Sequence, residues 1–341
     1  MHFPYEAIAM THAITLAQDY AAPLGPNPRV GAVILNQDGE YLSEGFHLGK
    51  SADHAEISAL KKMHGPGDAT TLVVTLEPCY QPNKPDDCSR AIVRAGIKRV
   101  IIGQRDTTPM SAGGAEFLRA NNIDVVTGVC ADEVSGINPW LTIAMAKQRP
   151  YVRAKIAASL DGKVAAADGS SRWITGKESR QYAHRLRSQS HYLVSTAKSV
   201  LQDNSRLSAR DEIDNRMPIQ PKIAILGRET VPANHPLMNE GLEISFYPKV
   251  DLSELLNQFW KNQGLSVLIE SGPTLITEFL KQGLVDELIW FTAPIILGDN
   301  SRSGIGNLGI DSISAALRPH FKSTFKLGPD QVSVLTFWPE D

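Results

Sequence analysis

Cysteine is scarce in this sequence, and the scarcity excludes a fold stabilised by a disulfide framework. The 341 residues contain three cysteines, Cys79, Cys88 and Cys130, and an odd number cannot form a complete set of pairs. Few cysteines favour a reducing compartment, where two that are close in sequence more often bind a metal or act in catalysis. We therefore expect a cytoplasmic protein in which Cys79 and Cys88 have a chemical role and Cys130 is a core thiol.

Long apolar runs, a basic leader and an excess of positive charge are also absent. No run of eighteen or more apolar residues occurs, so no membrane-spanning helix is predicted. The N-terminal segment is interrupted by His, Glu and Asp and does not have the pattern of a signal peptide. The formal net charge of −3 argues against broad attraction to nucleic acid or to an anionic membrane.

The length suits two domains better than one core. Apolar strand patterns alternate with helical patterns in the first part of the chain, and the alternation starts again at residue 151. This alternation favours α/β layers around a largely covered sheet. A polar helical stretch that ends at Pro150 separates the two parts, and we predict domains at residues 1–147 and 148–341.

One short pattern in the first domain carries chemistry. The sequence reads HAE at residues 54–56 and PC at residues 78–79, and eight residues separate Cys79 from Cys88. Imidazole nitrogen and thiolate sulfur are preferred zinc ligands, and a catalytic zinc keeps three protein ligands. The order H-x-E, then P-C and a second Cys, is the signature of zinc nucleobase deaminases. We predict His54, Cys79 and Cys88 as zinc ligands and Glu56 as the residue that moves protons; a structural zinc is the alternative.

These motifs, together with GPNPRVGAVI at residues 25–34, resemble the deaminase half of the bifunctional riboflavin-biosynthesis deaminase/reductases. The resemblance implies a cytidine-deaminase-like α/β/α domain in which the loop between the two cysteines belongs to the substrate site. It also implies that Asn27, Lys84 and Asp106 bind substrate. The loop YQPNKPDD departs from the His, Gly and Thr-Pro-Pro that are usual in the family, and Thr108-Pro109 replaces Asn-Pro.

The second half resembles the reductase half of the same family, which has a dihydrofolate-reductase-like fold. The stretches that carry the resemblance are KIAASLDGKVA, GSSRWIT, IESGPTLITEFL and LVDELIWFTAPIILG. From the residues alone, Gly272-Pro273 opens a helix after a strand, and a helix N-terminus accommodates a phosphate. Arginines are suited to gripping a phosphate, although each alone is more often a solvated side chain; the candidates are Arg185, Arg187, Arg206 and Arg210.

The resemblance also assigns roles to individual positions of the second domain. Those implied for the NADPH site are Ala157, Trp173, Ser199, Asp203 and Gly272. Those implied for the substrate are Lys155, Ser171, Arg187, Leu207, Arg210 and Glu270. Departures from the glycines found in some family members occur at Thr196, Lys198 and Ser271.

The prediction is therefore a bifunctional enzyme of flavin biosynthesis with Zn²⁺ and NADPH as cofactors. The first domain would deaminate a diaminopyrimidinone ribosyl phosphate, and the second would reduce the ribosyl group to ribityl. The expected partner is this small molecule, with no nucleic acid and no membrane, and the family implies a homo-oligomer. The alternatives are a related deaminase for another amino-pyrimidine with an inactive or repurposed second domain, a nucleic-acid base deaminase, and a non-catalytic binding protein.

Overall fold

Two units make up the structure, a computed structural model that describes residues 4–19, 26–49, 52–63 and 69–338. The first unit is Met1–Arg149 and the second is Pro150–Asp341. Among the described residues, no helix combines the length and the hydropathy needed to cross a membrane.

A five-stranded mixed sheet forms the centre of the first unit. Its strands are β1 (Gly31–Asn36), β2 (Tyr41–Phe46), β3 (Ala69–Leu76), β4 (Arg99–Gln104) and β5 (Asp124–Thr127). The helices are α1 (Pro4–Asp19), α2 (Ala55–Lys62), α3 (Cys88–Arg94), α4 (Gly114–Ala120), α5 (Ala131–Ser135) and α6 (Pro139–Lys147). The strand order is β2-β1-β3-β4-β5, in which β1 is antiparallel to β2 and β3 while β3, β4 and β5 run parallel.

The apolar strands of the first unit bring polar segments to one edge of the sheet. β1 and β4 are almost entirely buried, and α1 packs its apolar face against the central strands. Because β3 and β4 are parallel, the segments that follow them leave the sheet at the same edge. These segments carry Cys79 and Asp106, so the sheet places the predicted zinc ligand and the predicted substrate residue at the same edge.

Strand β2 was not predicted from the sequence, and it seats the helix that follows His54. A Cβ atom on Gly45 of β2 would lie 2.1 Å from the carbonyl oxygen of Ala55 in α2, so only glycine permits this approach. The half-exposed pattern of β2 gives a weak strand signal, which explains the omission. The sequence Gly65-Pro66-Gly67, which predicts the end of α2, lies outside the described residues.

An eight-stranded sheet forms the centre of the second unit, beside a small two-stranded sheet. The strands are β6 (Tyr151–Ser159), β7 (Lys163–Ala165), β8 (Tyr192–Thr196), β9 (Lys222–Leu226), β10 (Ile244–Tyr247), β11 (Ser266–Ile269), β12 (Glu287–Ala293), β13 (Arg302–Ser303), β14 (His320–Leu327) and β15 (Asp330–Thr336). The helices are α7 (Lys177–Ser188), α8 (Ala197–Asp203), α9 (Leu252–Lys261) and α10 (Pro273–Lys281). The order β10-β9-β8-β11-β6-β12-β15-β14 is parallel as far as β12, and β15 is antiparallel to both of its neighbours.

Helices cover both faces of this sheet, and the alternation of β6 divides its side chains between two cores. Val152, Ala154 and Ile156 pack with α9 and α10, whereas Ala157 contacts the core that contains α7 and α8. Because successive residues of a strand point to opposite faces, Lys155 also points toward the α7 and α8 face. The sequence patterns did not predict α8, α9, β13 or β14 of this unit. Strand β14 is an edge strand exposed along most of its length.

The fold predicts acid sensitivity through His191 at the start of β8. Its Nδ1 atom lies 3.0 Å from the Ser266 hydroxyl, and burial, with Lys222 nearby, lowers its pKa from 6.5 to about 4. The unfolded chain takes up the proton below pH 6.5, and the native state does so only near pH 4, so native stability falls as the pH drops through this window. We expect His191→Gln to reduce the stability lost between pH 7.5 and pH 5 by about 2 kcal/mol.

Urea unfolding followed by tryptophan fluorescence would measure this difference, since four of the five tryptophans lie in the second unit. His320→Gln, at an exposed position of β14, controls for the loss of one histidine. The prediction would be contradicted if the free energy of unfolding fell by the same amount between pH 7.5 and pH 5 in wild type and in His191→Gln.

Candidate active sites

Three elements bring His54, Cys79 and Cys88 together in the first unit. His54 is the N-cap residue of α2, Cys79 follows β3, and Cys88 is the first residue of α3. His54 Nδ1 lies 3.7 Å from Cys79 Sγ and 3.2 Å from Cys88 Sγ. In the part of the chain that the structure describes, this is the one group of three His, Cys, Asp or Glu side chains close enough to share a metal ion.

Two of the three donors hold protons that a bound metal ion would displace. A hydrogen bond with Cys79, together with burial, keeps the pKa of the Cys88 thiol well above its usual value. The hydrogen bond with Cys79 raises the pKa of His54 to about 9 against the effect of burial. The pKa of Cys79 falls to about 4, chiefly through its hydrogen bond with Cys88 and also through His54. Thiolate is the form of cysteine that binds metals. One imidazole and two sulfur donors fit Zn²⁺ with a coordination position left for water.

Glu56 lies beside this group without belonging to it. It occupies the first turn of α2 and is 3% exposed. Burial raises the pKa of Glu56 to about 7, although the neighbouring His54 acts in the opposite direction. A buried carboxyl hydrogen-bonded to Cys88 is placed to exchange a proton at the metal site, as the sequence predicts.

His47 is a site residue that the sequence reasoning missed. Its ring lies 5.1 Å from the His54 ring, its Nδ1 lies 3.0 Å from the Asp53 carbonyl oxygen, and its Nε2 lies 3.0 Å from Asn27 Nδ2. Burial lowers the pKa of His47, which favours the neutral ring. These distances fit a neutral ring whose Nδ1–H donates to the Asp53 carbonyl oxygen and whose Nε2 accepts from the Asn27 amide. His47, the residue after β2, therefore orients the predicted substrate residue Asn27.

Glu77 is a second missed residue, and it fixes the position of Asp106. Its side chain is fully buried and pairs with Arg105 at 2.5 Å. It also accepts hydrogen bonds from the backbone N–H groups of Asp106 and Ala115, at 3.0 and 2.8 Å. Glu77 therefore ties the segment before Cys79 to the segment after β4. Asp106 is itself buried and accepts from the Thr108 N–H at 2.8 Å.

Lys84 lies on the exposed part of the loop between Cys79 and Cys88. Its positive charge acts on His54 and opposes the rise in the pKa of that ring. The ammonium group is therefore within electrostatic range of the metal ligands, where an anionic part of a substrate could meet it.

The eleven residues that the family resemblance assigns to the second domain all line one cavity of about 770 Å³. They are Lys155, Ala157, Ser171, Trp173, Arg187, Ser199, Asp203, Leu207, Arg210, Glu270 and Gly272. They come from strands, helices and loops more than 100 residues apart, so the shared cavity is a result of the tertiary fold. Of the two other candidate arginines, Arg206 lines this cavity and Arg185 does not.

Glu270 is the electrostatic centre of this cavity. It forms a bidentate pair with Arg187, with both N–O distances 2.7 Å, and lies 3.9 Å from Lys155 Nζ. Burial alone would raise the pKa of Glu270, but Arg187 and Lys155 lower it to about 2. Burial lowers the pKa of Lys155. The carboxylate is thus permanently charged, while the lysine is the group that gives up a proton more readily than usual.

The two arginines that the resemblance assigns to substrate phosphate and ribose both have carboxylate partners. Arg187 pairs with Glu270, and Arg210 pairs with Glu240 through two contacts of 2.8 Å. Both arginine side chains are largely buried, so they are not the solvated surface side chains that most single arginines are. Four further arginines line the cavity and were not assigned from the resemblance, namely Arg172, Arg180, Arg206 and Arg302.

The same cavity also has groups that suit a dinucleotide. Trp173 is 66% exposed, so it is not a core aromatic, and Arg180 lies 4.4 Å from its ring centre. Gly272 is the N-cap residue of α10, and its N–H donates to the Ser199 hydroxyl at 3.1 Å. An open indole face suits stacking and a helix N-terminus suits a phosphate, so these residues fit NADPH.

Known proteins are similar along nearly the whole chain. The family model described as the RibD C-terminal domain matches residues 150–333, and the cytidine and deoxycytidylate deaminase zinc-binding region matches residues 6–104. The riboflavin biosynthesis protein RibD of Aquifex aeolicus (strain VF5) is 33% identical, over 95% of this chain and 96% of that protein. The chain belongs to the RibD family.

Solved RibD structures have the same fold. The structure of Acinetobacter baumannii RibD, form 1, has a TM-score of 0.82 at 32% identity and covers 97% of this chain and 98% of that one. A Thermotoga maritima diaminohydroxyphosphoribosylaminopyrimidine deaminase/5-amino-6-(5-phosphoribosylamino)uracil reductase has a TM-score of 0.74 at 29% identity, with the same coverage. These matches confirm the family resemblance and the two-part fold class predicted from the sequence. The His/Cys/Cys cluster and the zinc-binding match confirm the predicted zinc.

The RibD-type metal site predicts loss of zinc when a sulfur ligand is removed. We expect Cys88→Ser to lower zinc affinity by more than the roughly 10–100-fold that loss of an outer-shell partner costs, because a neutral hydroxyl replaces a thiolate. Inductively coupled plasma mass spectrometry of dialysed protein would measure zinc per chain. Cys130→Ser is the matched control, since Cys130 lies in a different part of the unit, at the N-cap of α5. Equal zinc content in the two variants would contradict the assignment of Cys88.

Proposed function

We propose that the chain is a bifunctional enzyme of riboflavin biosynthesis, with a zinc-dependent pyrimidine deaminase at residues 1–147 and an NADPH-dependent reductase at residues 148–341. The observation that carries the proposal is the pairing of two sites in one chain. The zinc ligands lie beside the buried Glu56 in one unit, and Lys155 and Glu270 line a cavity with an exposed Trp173 in the other.

The deamination replaces the 2-amino group of a diaminopyrimidinone ribosyl phosphate by oxygen. When bound, zinc supplies a Lewis acid that makes water acidic enough to lose a proton near neutral pH. Glu56 would accept that proton at a carboxylate oxygen and deliver it to the departing amine, which leaves as ammonia. Asn27, Asp106 and Lys84 would orient the pyrimidine and its ribosyl phosphate, and the raised pKa of Glu56 suits both directions of proton transfer.

The reduction converts the ribosyl group to an open ribityl chain. When bound, NADPH supplies a hydride to the ribosyl carbon that bears the amine, and the ring oxygen must gain a proton as its bond to that carbon breaks. Glu270 stays ionised and Arg187 does not release protons, so Lys155 is the proton donor of the three. Glu270 would hold the Lys155 ammonium toward the substrate, and Arg187 would hold Glu270.

The remaining site residues and properties follow the same proposal. Trp173, Ser199 and Gly272 would contact NADPH with Ala157 and Asp203, and Ser171, Leu207 and Arg210 would contact the reduced substrate. The solved relative from Thermotoga maritima bears the name of this pyrimidine deaminase and reductase. We place the enzyme in the cytoplasm as a homo-oligomer, with no nucleic-acid or membrane partner.

Removal of the proton carrier should stop the first reaction alone. We expect Glu56→Gln to lower deamination by about 10²–10⁴-fold while zinc is retained, because the amide cannot accept a proton. Mass spectrometry of products from the diaminopyrimidine ribosyl phosphate, with and without NADPH, measures both steps. The variant should still reduce the deaminated intermediate when that compound is supplied. Deamination by Glu56→Gln at the wild-type rate would contradict the role assigned to Glu56. If zinc-loaded wild type deaminated a different amino-pyrimidine instead, the proposed substrate would be wrong.

Removal of the proposed proton donor should stop the second reaction alone. We expect Lys155→Met to lower reduction by about 10²–10⁴-fold with deamination unchanged. Product analysis with the deaminated intermediate and NADPH measures the loss. Lys163→Met, at a lysine of β7 outside the Glu270 cluster, is the matched control. Reduction at the wild-type rate by Lys155→Met would exclude Lys155 as the donor.

A further inference from the structure

Arg90 holds the loop between Cys79 and Cys88 from its inner side. Its Nη1 atom donates to the carbonyl oxygens of Gln81 and Lys84, each at 3.0 Å, and Nη2 donates to that of Pro82 at 3.2 Å. One guanidinium therefore binds three main-chain carbonyls of a loop that is eight residues long. Within the described residues, no other side chain donates as many hydrogen bonds to the carbonyl oxygens of this loop; Arg94 donates one.

Asp87 closes the arrangement at the other end of the loop. It is buried, and it forms an ion pair with the Arg90 guanidinium. One carboxylate oxygen accepts from the Gln81 N–H at 3.0 Å, and the other accepts from the Arg90 N–H at 2.8 Å as the N-cap of α3. Arg90 and Asp87 together fix the first and last parts of the loop to the helix that begins with Cys88.

Two stacked aromatic rings lie beside the guanidinium. Tyr80 and Phe117 stack with ring centres 4.7 Å apart, and Arg90 lies 5.1 and 5.3 Å from these centres. The Arg90 side chain is 24% exposed. The partial burial and the contact with the two rings limit competition from water for the guanidinium, which suits hydrogen bonds to several carbonyls at once.

The loop has little else to hold it in place. Residues 82–86 are all exposed and bury no apolar side chain. An exposed segment without buried apolar contacts opens at low free energy unless hydrogen bonds oppose the gain in entropy. The loop conformation, and with it the position of Lys84, therefore depends on Arg90.

The metal ligands have their own supports. The Ser89 N–H and hydroxyl bind the Cys79 carbonyl oxygen at 3.2 and 3.0 Å, and the Cys88 N–H lies 3.5 Å from Cys79 Sγ. His54 is held at the start of α2. Loss of the Arg90 contacts should thus disturb the loop before it disturbs the zinc site.

We propose that Arg90 is a positioning residue for the deaminase substrate, acting through the loop that carries Lys84. This role rests on the deaminase activity proposed above. It predicts a loss of substrate affinity without loss of zinc or of the chemical step. Lysine cannot replace Arg90, because a single ammonium does not present the planar set of donors that three carbonyls and Asp87 require.

The test compares Arg90→Lys and Arg90→Gln with wild type and with Arg94→Lys. Arg94 is the matched control, since it lies one turn later on α3 and contacts the loop at the Pro85 carbonyl oxygen and Asp86. In zinc-loaded protein without NADPH, we expect both Arg90 variants to raise the KM for deamination at least about tenfold. We expect both Arg90 variants to keep a kcat within about threefold of wild type and an unchanged zinc content. Arg94→Lys should be close to wild type in KM, kcat and zinc content.

Hydrogen exchange of the resting protein gives a second readout that needs no substrate. The Gln81 and Lys84 amides are hydrogen-bonded within the loop, so they should exchange about tenfold faster or more in the Arg90 variants than in Arg94→Lys. Unchanged exchange would overturn the positioning role whatever the activity. An unchanged KM, or a fall in kcat that follows zinc loss, would also overturn it. Absence of deamination in zinc-loaded wild type would instead count against the proposed function, while exchange would still decide the role of Arg90.

Discussion

A buried carboxylate must have partners for all of its charge, and this constraint shapes both sites. In the first unit Glu77 is fully buried and satisfied by Arg105 and by two backbone N–H groups. In the second unit Glu270 is satisfied by Arg187 and approached by Lys155. An unpaired charge at either position would destabilise the folded state by roughly 3–5 kcal/mol. The segments that supply the partners therefore have little freedom to move. The first carboxylate ties together two segments of the first site, and the second holds Arg187 and Lys155 beside each other in the second cavity.

The zinc site depends on where secondary structure begins rather than on loop geometry. His54 and Cys88 stand at the starts of two helices, and Cys79 follows a buried strand. These positions are determined by backbone hydrogen bonding and by core packing, which vary little with the loop between the cysteines. Family members can therefore change that loop while the metal ligands stay in place. In this chain the loop has lost its usual His, Gly and Thr-Pro-Pro, and the Arg90–Asp87 pair supports the loop that replaces them.

The part of the second cavity predicted to bind NADPH shows a comparable local change. Thr196 and Ser271 stand where some relatives have glycine, and their hydroxyls lie 2.9 and 3.1 Å from the Ser199 hydroxyl. The three hydroxyls bind one another beside Gly272, whose N–H also donates to Ser199. The added side chains thus satisfy each other within the site and leave the α10 N-terminus in the cavity lining. Lys198 is exposed, and nothing in the structure assigns it a partner at this site.

The sequence by itself determined the α/β class and most of the buried strands, and it singled out the cluster of His54, Cys79 and Cys88 with Glu56 beside it, because periodic apolar patterns and short motifs report local structure. It also identified eleven residues of the second cavity through the family resemblance. It did not reveal β2, the pairing of Asn27 with His47, or the bonds from Glu77 to residues 29 and 38 positions away. Those features are contacts between segments distant in sequence, and no local pattern encodes them. Only the tertiary structure decided that Arg187 and Arg210 face carboxylates and that Arg90 turns inward to the loop, since the direction of a long charged side chain depends on the partners that the fold brings within reach.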